Sequence, residues 1–172
     1  MRILIATPLY PPEVADAAVY AKELARRLSK DHEVTVVAYT HLPEELPGVR
    51  VVAVEKRQPR VARLRAFRKA LAREAASADA VIALNGASVE LPIIATVLAK
   101  PLLFVLADTN AHARAGLLER LARARARAVI EKVPGPKPEI LPLEPEPTDA
   151  LAAWEAAWQA HLAEIEKIFN GN

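Results

Sequence analysis

Five short apolar runs recur along this chain, each followed by a turn and most then by a helical pattern. They are Ile3–Ala6, Val34–Tyr39, Val49–Val54, Asp79–Leu84 and Leu102–Leu106. Runs of this length, rich in Val, Ile and Leu, suit strands buried on both faces of a parallel sheet. Between them lie stretches with apolar residues at helical spacing. Tyr20, Leu24 and Leu28 mark a helix over roughly Ala17–Ser29, with Asp16 as its N-cap. Val61, Leu64, Phe67 and Leu71 mark a basic helix over roughly Arg60–Ala76, opened by Pro59. Asn85-Gly86 starts a third helix through Val89, Ile93, Ile94 and Val97, with Pro92 in its first turn or kinking it. Asp108-Thr109-Asn110 caps a fourth that runs to about Arg127, and Ala128–Val133 reads as a sixth strand.

This alternation predicts an α/β fold: one doubly wound, mostly parallel sheet with right-handed crossovers. The expected central strand order is 3-2-1-4-5, with the switch point between the first and fourth strands. The loop after Thr7 then faces the loop at Asn85.

After residue 133 the texture changes. Pro134, Pro136, Pro138, Pro142, Pro145 and Pro147 exclude a helix. Residues 134–147 therefore read as a connector, with Glu139–Leu143 as a short edge strand. Thr148 or Asp149 caps a last helix whose stripe is Leu151, Trp154, Trp158, Leu162, Ile165 and Phe169. Such a stripe must be buried, most simply on the domain before it. The expected organisation is a domain over 1–133, a connector over 134–147 and a packing helix over 148–172.

Composition limits the chemistry. With 52% apolar and 26% charged residues the chain is globular. No cysteine is present, so disulfides and thiolate metal sites are excluded. The four histidines, His32, His41, His112 and His161, lack metal-ligand spacing, and no metal is expected. The apolar run at the start is too short for a signal peptide and no stretch spans a membrane, so a cytoplasmic monomer is expected. Five glycines and Ala- and Arg-rich helices are what selection or editing for stability produces, or a thermophilic origin.

Residues 3–40, with ILIATPLYPPEV, the helix AAVYAKELARRL and then HEVTVV, resemble the N-terminal domain of GT-B glycosyltransferases of the retaining family-four group. The resemblance continues more loosely through Asp79–Asn85 and Phe104–Thr109, and the Trp-bearing last helix fits that family's C-terminal helix. It implies a Rossmann-like, acceptor-side half of a transferase, with the donor domain missing and a sugar acceptor or nucleotide sugar as partner. It also implies an engineered or trimmed domain without a complete active site, needing no cofactor. The alternative is a nucleotide-sugar or sugar-phosphate binding module, or a subunit that pairs with a separate donor domain.

Candidate site residues follow. Pro8, Tyr10, Ala15 and Asp16 form the first loop, and Asn85, Gly86 and Thr109 face it. The family carries a Gly-Gly pair near Ala15 and Asp16. Here a Cβ and a carboxylate stand where a phosphate would approach, and both oppose it. Asp108 and His112 are vestigial catalytic candidates. Asp108 reads more readily as a helix cap, and His112 as a surface residue. No G-x-G-x-x-G or P-loop pattern is present. Two basic runs, Lys56–Arg73 and Arg114–Arg127, suit either an anionic lipid or acidic acceptor, or simply solvated helix faces. Without interleaved aromatics, and with a net charge of +2, no nucleic-acid partner is expected.

Overall fold

A computed structural model describes residues 1–107, 116–138 and 148–171. In it the strands are β1 (Arg2–Thr7), β2 (Glu33–Tyr39), β3 (Val49–Val54), β4 (Ala80–Leu84), β5 (Leu102–Val105) and β6 (Ala128–Ile130). The helices are α1 (Asp16–Leu28), α2 (Arg60–Ser77), α3 (Ala87–Ala95), α4 (Leu117–Arg125) and α5 (Thr148–Asn170). All strands pair in parallel, in the order β3-β2-β1-β4-β5-β6. The expected fold class and central order hold, and β6 extends the sheet by one strand.

Side chains alternate between two cores, as a period of two requires. Ile3 and Ile5 of β1, Val34 and Val36 of β2, Ile82 of β4 and Leu103 of β5 face α1 and α5. Leu4, Ala6, Val37, Val81 and Phe104 face α2, α3 and α4. The register sets Ile5 beside Val36 on one flank and Ile82 on the other. β4 starts at Ala80 and not at Asp79, whose carboxylate instead accepts from the Arg2 amide at 2.8 Å.

The β2–β3 connection contains no helix, so among the described residues α1 is the one crossover helix on its face. α5 completes the cover. Trp158, Ile165 and Phe169 are buried against the sheet and α1. Trp158 stacks on Tyr20 with ring centroids 5.5 Å apart. The buried Arg27 guanidinium lies over Trp154 and Trp158 and grips Glu155 in a bidentate pair of 2.8 Å bonds. Its Nε donates to Glu23 at 2.6 Å. A guanidinium this enclosed needs all of these acceptors.

Several local expectations shift. Asp16 is the first helical residue, and the N-cap of α1 is Ala15, which has no side-chain acceptor to offer. Pro92 is the sixth residue of α3, past the first turn. α4 starts after Gly116, and the expected cap at Asp108–Asn110 and edge strand at Glu139–Leu143 lie outside the described residues. No described helix is long and apolar enough to cross a membrane.

His161 is buried in the α1–α5 seam, its Nε2 2.7 Å from the Tyr20 hydroxyl. Burial holds its pKa down at about 4. The unfolded chain, with His near 6.5, therefore takes up the proton first as pH falls. Stability from this site is complete above pH 6.5 and is lost as pH falls toward 4. Between pH 7 and pH 5 the loss should be about 2 kcal/mol. His161→Gln, which keeps a partner for the Tyr20 hydroxyl, should flatten that slope in urea melts. An unchanged slope would place the acid sensitivity elsewhere.

Candidate functional site

The carboxyl ends of β1, β2 and β4 meet at the switch point, where ligands bind in open α/β sheets. The β1–α1 loop lies over this end. Thr7 opens it by donating its hydroxyl to the Leu9 carbonyl at 2.8 Å, and the Pro11–Pro12 peptide is cis. Neighbouring loops tether it. The Glu44 amide donates to the Pro11 carbonyl at 3.0 Å, and Lys56 pairs with Glu13 at 2.8 Å.

Two helix starts flank the switch point, and they differ in what fills them. At α3 the Gly86 amide is taken by the Glu90 carboxylate at 3.0 Å. Glu90 is buried; its pKa is raised by that burial, pulled back by the Gly86 amide and raised again by the nearby Glu119 charge. An internal carboxylate thus occupies the place an anion would take. Gly86 has φ of +142°, and a Cβ there would stand 3.2 Å from the Pro8 ring, so only glycine lets the two loops close.

At α1 no side chain caps the start. Ala15 is extended, with φ −155° and ψ 152°, and makes no side-chain cap bond. Its carbonyl accepts from the amides of Ala18 and Val19, and the amides ahead of them point out of the helix start. Two hydroxyls lie on the α1 side of the sheet. The Tyr10 hydroxyl and Thr40 Oγ1 are fully enclosed and lack a hydrogen-bond partner among the described residues. Tyr10 packs with the α1-side core. Thr40 follows Ala38 by two residues at the end of β2, which places it on that face. Burial and the Glu44 charge push the Tyr10 phenol up to about 12, so it stays a neutral donor.

Sequence reasoning placed Pro8, Tyr10, Ala15 and Asp16 on one loop and Gly86 opposite, and the structure sets Pro8 against Gly86. Asp16 is exposed at the helix start. Asn85 is buried, with its amide donating to the Val105 carbonyl at 3.0 Å. Asp108, Thr109 and His112 lie outside the described residues. Glu90, Thr40 and Tyr39 were not anticipated. For Glu90 the available signal was a carboxylate one turn after a glycine that opens a helix.

Tyr39 solves a problem that Pro92 creates. In α3 the Ser88 carbonyl would accept from the residue four positions on, but Pro92 has no N–H. The Tyr39 hydroxyl donates to that carbonyl at 2.9 Å. Tyr39 is held by stacking on Phe67 at 4.5 Å and by the Arg63 guanidinium 5.5 Å over its ring. The proline thus ties α3 to β2 beside the switch point. Among the described residues no His, Asp and Glu come together as a metal site.

No family model matches this chain, and no curated protein does. Among solved structures it is similar to the C-terminal domain of the coenzyme A biosynthesis bifunctional protein CoaBC, at 17% identity and a TM-score of 0.40, over 60% of this chain and 62% of that one. It is also similar to the DNA/pantothenate metabolism flavoprotein from Streptococcus pneumoniae, at 11% identity and a TM-score of 0.33, over 91% and 66%. The chain spans less than two thirds of the length of each. Neither is a glycosyltransferase, and the GT-B resemblance is corrected on that finding. Its strand–loop–helix signature belongs to parallel α/β folds at large: a buried strand, a proline loop and an Ala-rich helix satisfy the same packing in unrelated families. With it falls the reading of an engineered acceptor half that lacks a donor domain. The fold itself is a Rossmann-like α/β sheet.

If the Tyr39 bond serves the Ser88 carbonyl, Tyr39→Phe should cost about 1–2 kcal/mol in urea unfolding. In a Pro92→Ala background, where an N–H is restored, the same change should cost under about 0.5 kcal/mol. Equal costs in both backgrounds would show that the bond does not compensate the proline.

Proposed function

We propose that this chain is a binding module for a small phosphate-bearing ligand of the nucleotide-sugar or sugar-phosphate class, seated at the carboxyl ends of β1, β2 and β4. The observation that carries this reading is the contrast between the two helix starts. The α3 start is filled by Glu90, while the α1 start is left without a side-chain cap. A phosphate at the α1 start gains from the helix dipole and from open amides.

Asp16 works against an anion there, so affinity is modest in this reading. Release of a ligand is as much a part of a binding module's work as capture. Tethers to Glu44 and Lys56 hold the proline loop in place, so little ordering is needed on binding.

The test is a thermal titration with UDP, GDP, their glucose conjugates and glucose 1-phosphate. A ligand at about ten times its Kd should stabilise by about 1.4 kcal/mol, which is a rise in Tm of roughly 3–6 °C. Asp16→Asn removes the opposing charge and should tighten binding about two- to fivefold. No shift with any of them at millimolar concentration, in either protein, would end this reading.

A further inference from the structure

The two helical layers differ in charge far more than the net value of +2 suggests. On one face lie α2, α3 and α4, with α3 between the other two. α2 carries six basic side chains and one carboxylate, and α4 carries three and one. α3 contributes only Glu90. All three carboxylates of this layer, Glu74, Glu90 and Glu119, are buried. The exposed charges on these three helices are therefore basic, and the exposed carboxylate of Glu131, beyond β6, pairs with Arg123. Arg60, Arg65, Arg68, Lys69 and Arg120 are exposed and have no ion-pair partner among the described residues. On the opposite face α5 carries four carboxylates, Asp149, Glu155, Glu164 and Glu166, against Lys167 alone.

The same cationic layer also holds exposed aliphatic side chains. Val61 on α2 is 59% exposed, Leu117 on α4 is 68% exposed and Val97, just past α3, is 90% exposed. Leu91 and Leu121 add to them, and Leu117 and Leu121 are one turn apart on α4. Isolated exposed leucines need no account, but five aliphatics across one cationic layer form a mixed surface.

We infer that the outer face of α2, α3 and α4 docks on an anionic lipid bilayer. Arginines and lysines are drawn to acidic headgroups, and Leu and Val gain by entering the headgroup–acyl boundary. A nucleic acid would reward the charge but not the aliphatics. It favours aromatic platforms and polar readers, and no aromatic residue is exposed on these helices. A second copy offering its acidic α5 face would likewise leave Leu117 and Val97 with no apolar counterpart. With this layer down, the carboxyl ends of the strands open sideways, and α5 faces away from the membrane.

The test uses the full chain with extruded vesicles of phosphatidylcholine and phosphatidylglycerol at 7:3, and of phosphatidylcholine alone, in 100 mM salt. Sedimentation with the mixed vesicles only is the expected result. Arg65→Gln/Arg68→Gln/Lys69→Gln should weaken binding by about a hundredfold, since each surface cation contributes about fivefold. Val97→Ser/Leu117→Ser/Leu121→Ser should weaken it at least about tenfold through lost apolar burial. Both variants replace exposed residues, and their folding is checked by circular dichroism melts. Trp154 and Trp158 lie on the far layer, so brominated lipids should leave their emission unquenched. Equal binding to neutral vesicles, no binding to the mixed ones, or quenched tryptophans would overturn the inference. So would tighter binding to a DNA duplex at the same salt, or self-association lost in the cation variant.

Discussion

A parallel sheet must be covered on both faces, and the order of its connections decides how well the crossovers do it. Here β1 to β2 places α1 on one face. The chain then reverses at the switch point, and the connections to β4, β5 and β6 put α2, α3 and α4 on the other. With only a loop between β2 and β3, α1 is the one crossover helix among the described residues on its side of the sheet. α5 answers that shortage, and its Trp158, Ile165 and Phe169 complete the core over β5 and β6. What remains uncovered is the β3 edge on that side. A depression of about 450 Å³ lies there, lined by Leu46, Val49, Val51 and neighbouring loop residues.

The same shortage explains why the α1–α5 seam is so heavily built. A helix that reaches the sheet from a separate segment has no short loop to fix its angle. The seam fixes it with chemistry instead: an arginine shared among two carboxylates and two indoles, and a tyrosine shared between a histidine and an indole. The Trp154 indole adds a bond to the Gly135 carbonyl at 2.9 Å, which holds the near end of the connector as well.

Most of the architecture was legible because it is written in periodicity. Val34–Tyr39 and Val49–Val54 are strands by composition, and the last helix by its stripe. The helix starts were less so. Asp16 looks like a cap because its side chain suits one, yet the backbone turns one residue earlier, at Ala15. His161 could have been found: it stands three residues after Trp158 and four before Ile165, on the buried stripe. Its polarity hid a packing position. The site resisted for a different reason. Glu90 and Tyr39 act across space on groups that a linear reading cannot pair, a glycine amide and a carbonyl orphaned by Pro92. The family resemblance misled because a buried strand, proline loop and Ala-rich helix report a fold and not a lineage.

The late position of α5 has a consequence for how the molecule is made. During synthesis β1 to β6 and α1 to α4 leave the ribosome while one face of β4, β5 and β6 still lacks its cover. Leu103, Val105 and Ile130 stay open to solvent, or to other nascent chains, until residues 158–169 emerge. The acidic surface of α5 arrives with that cover, so the last apolar face is closed and charged in the same event. Time of emergence, as much as energy, sets when this sheet becomes safe from its neighbours.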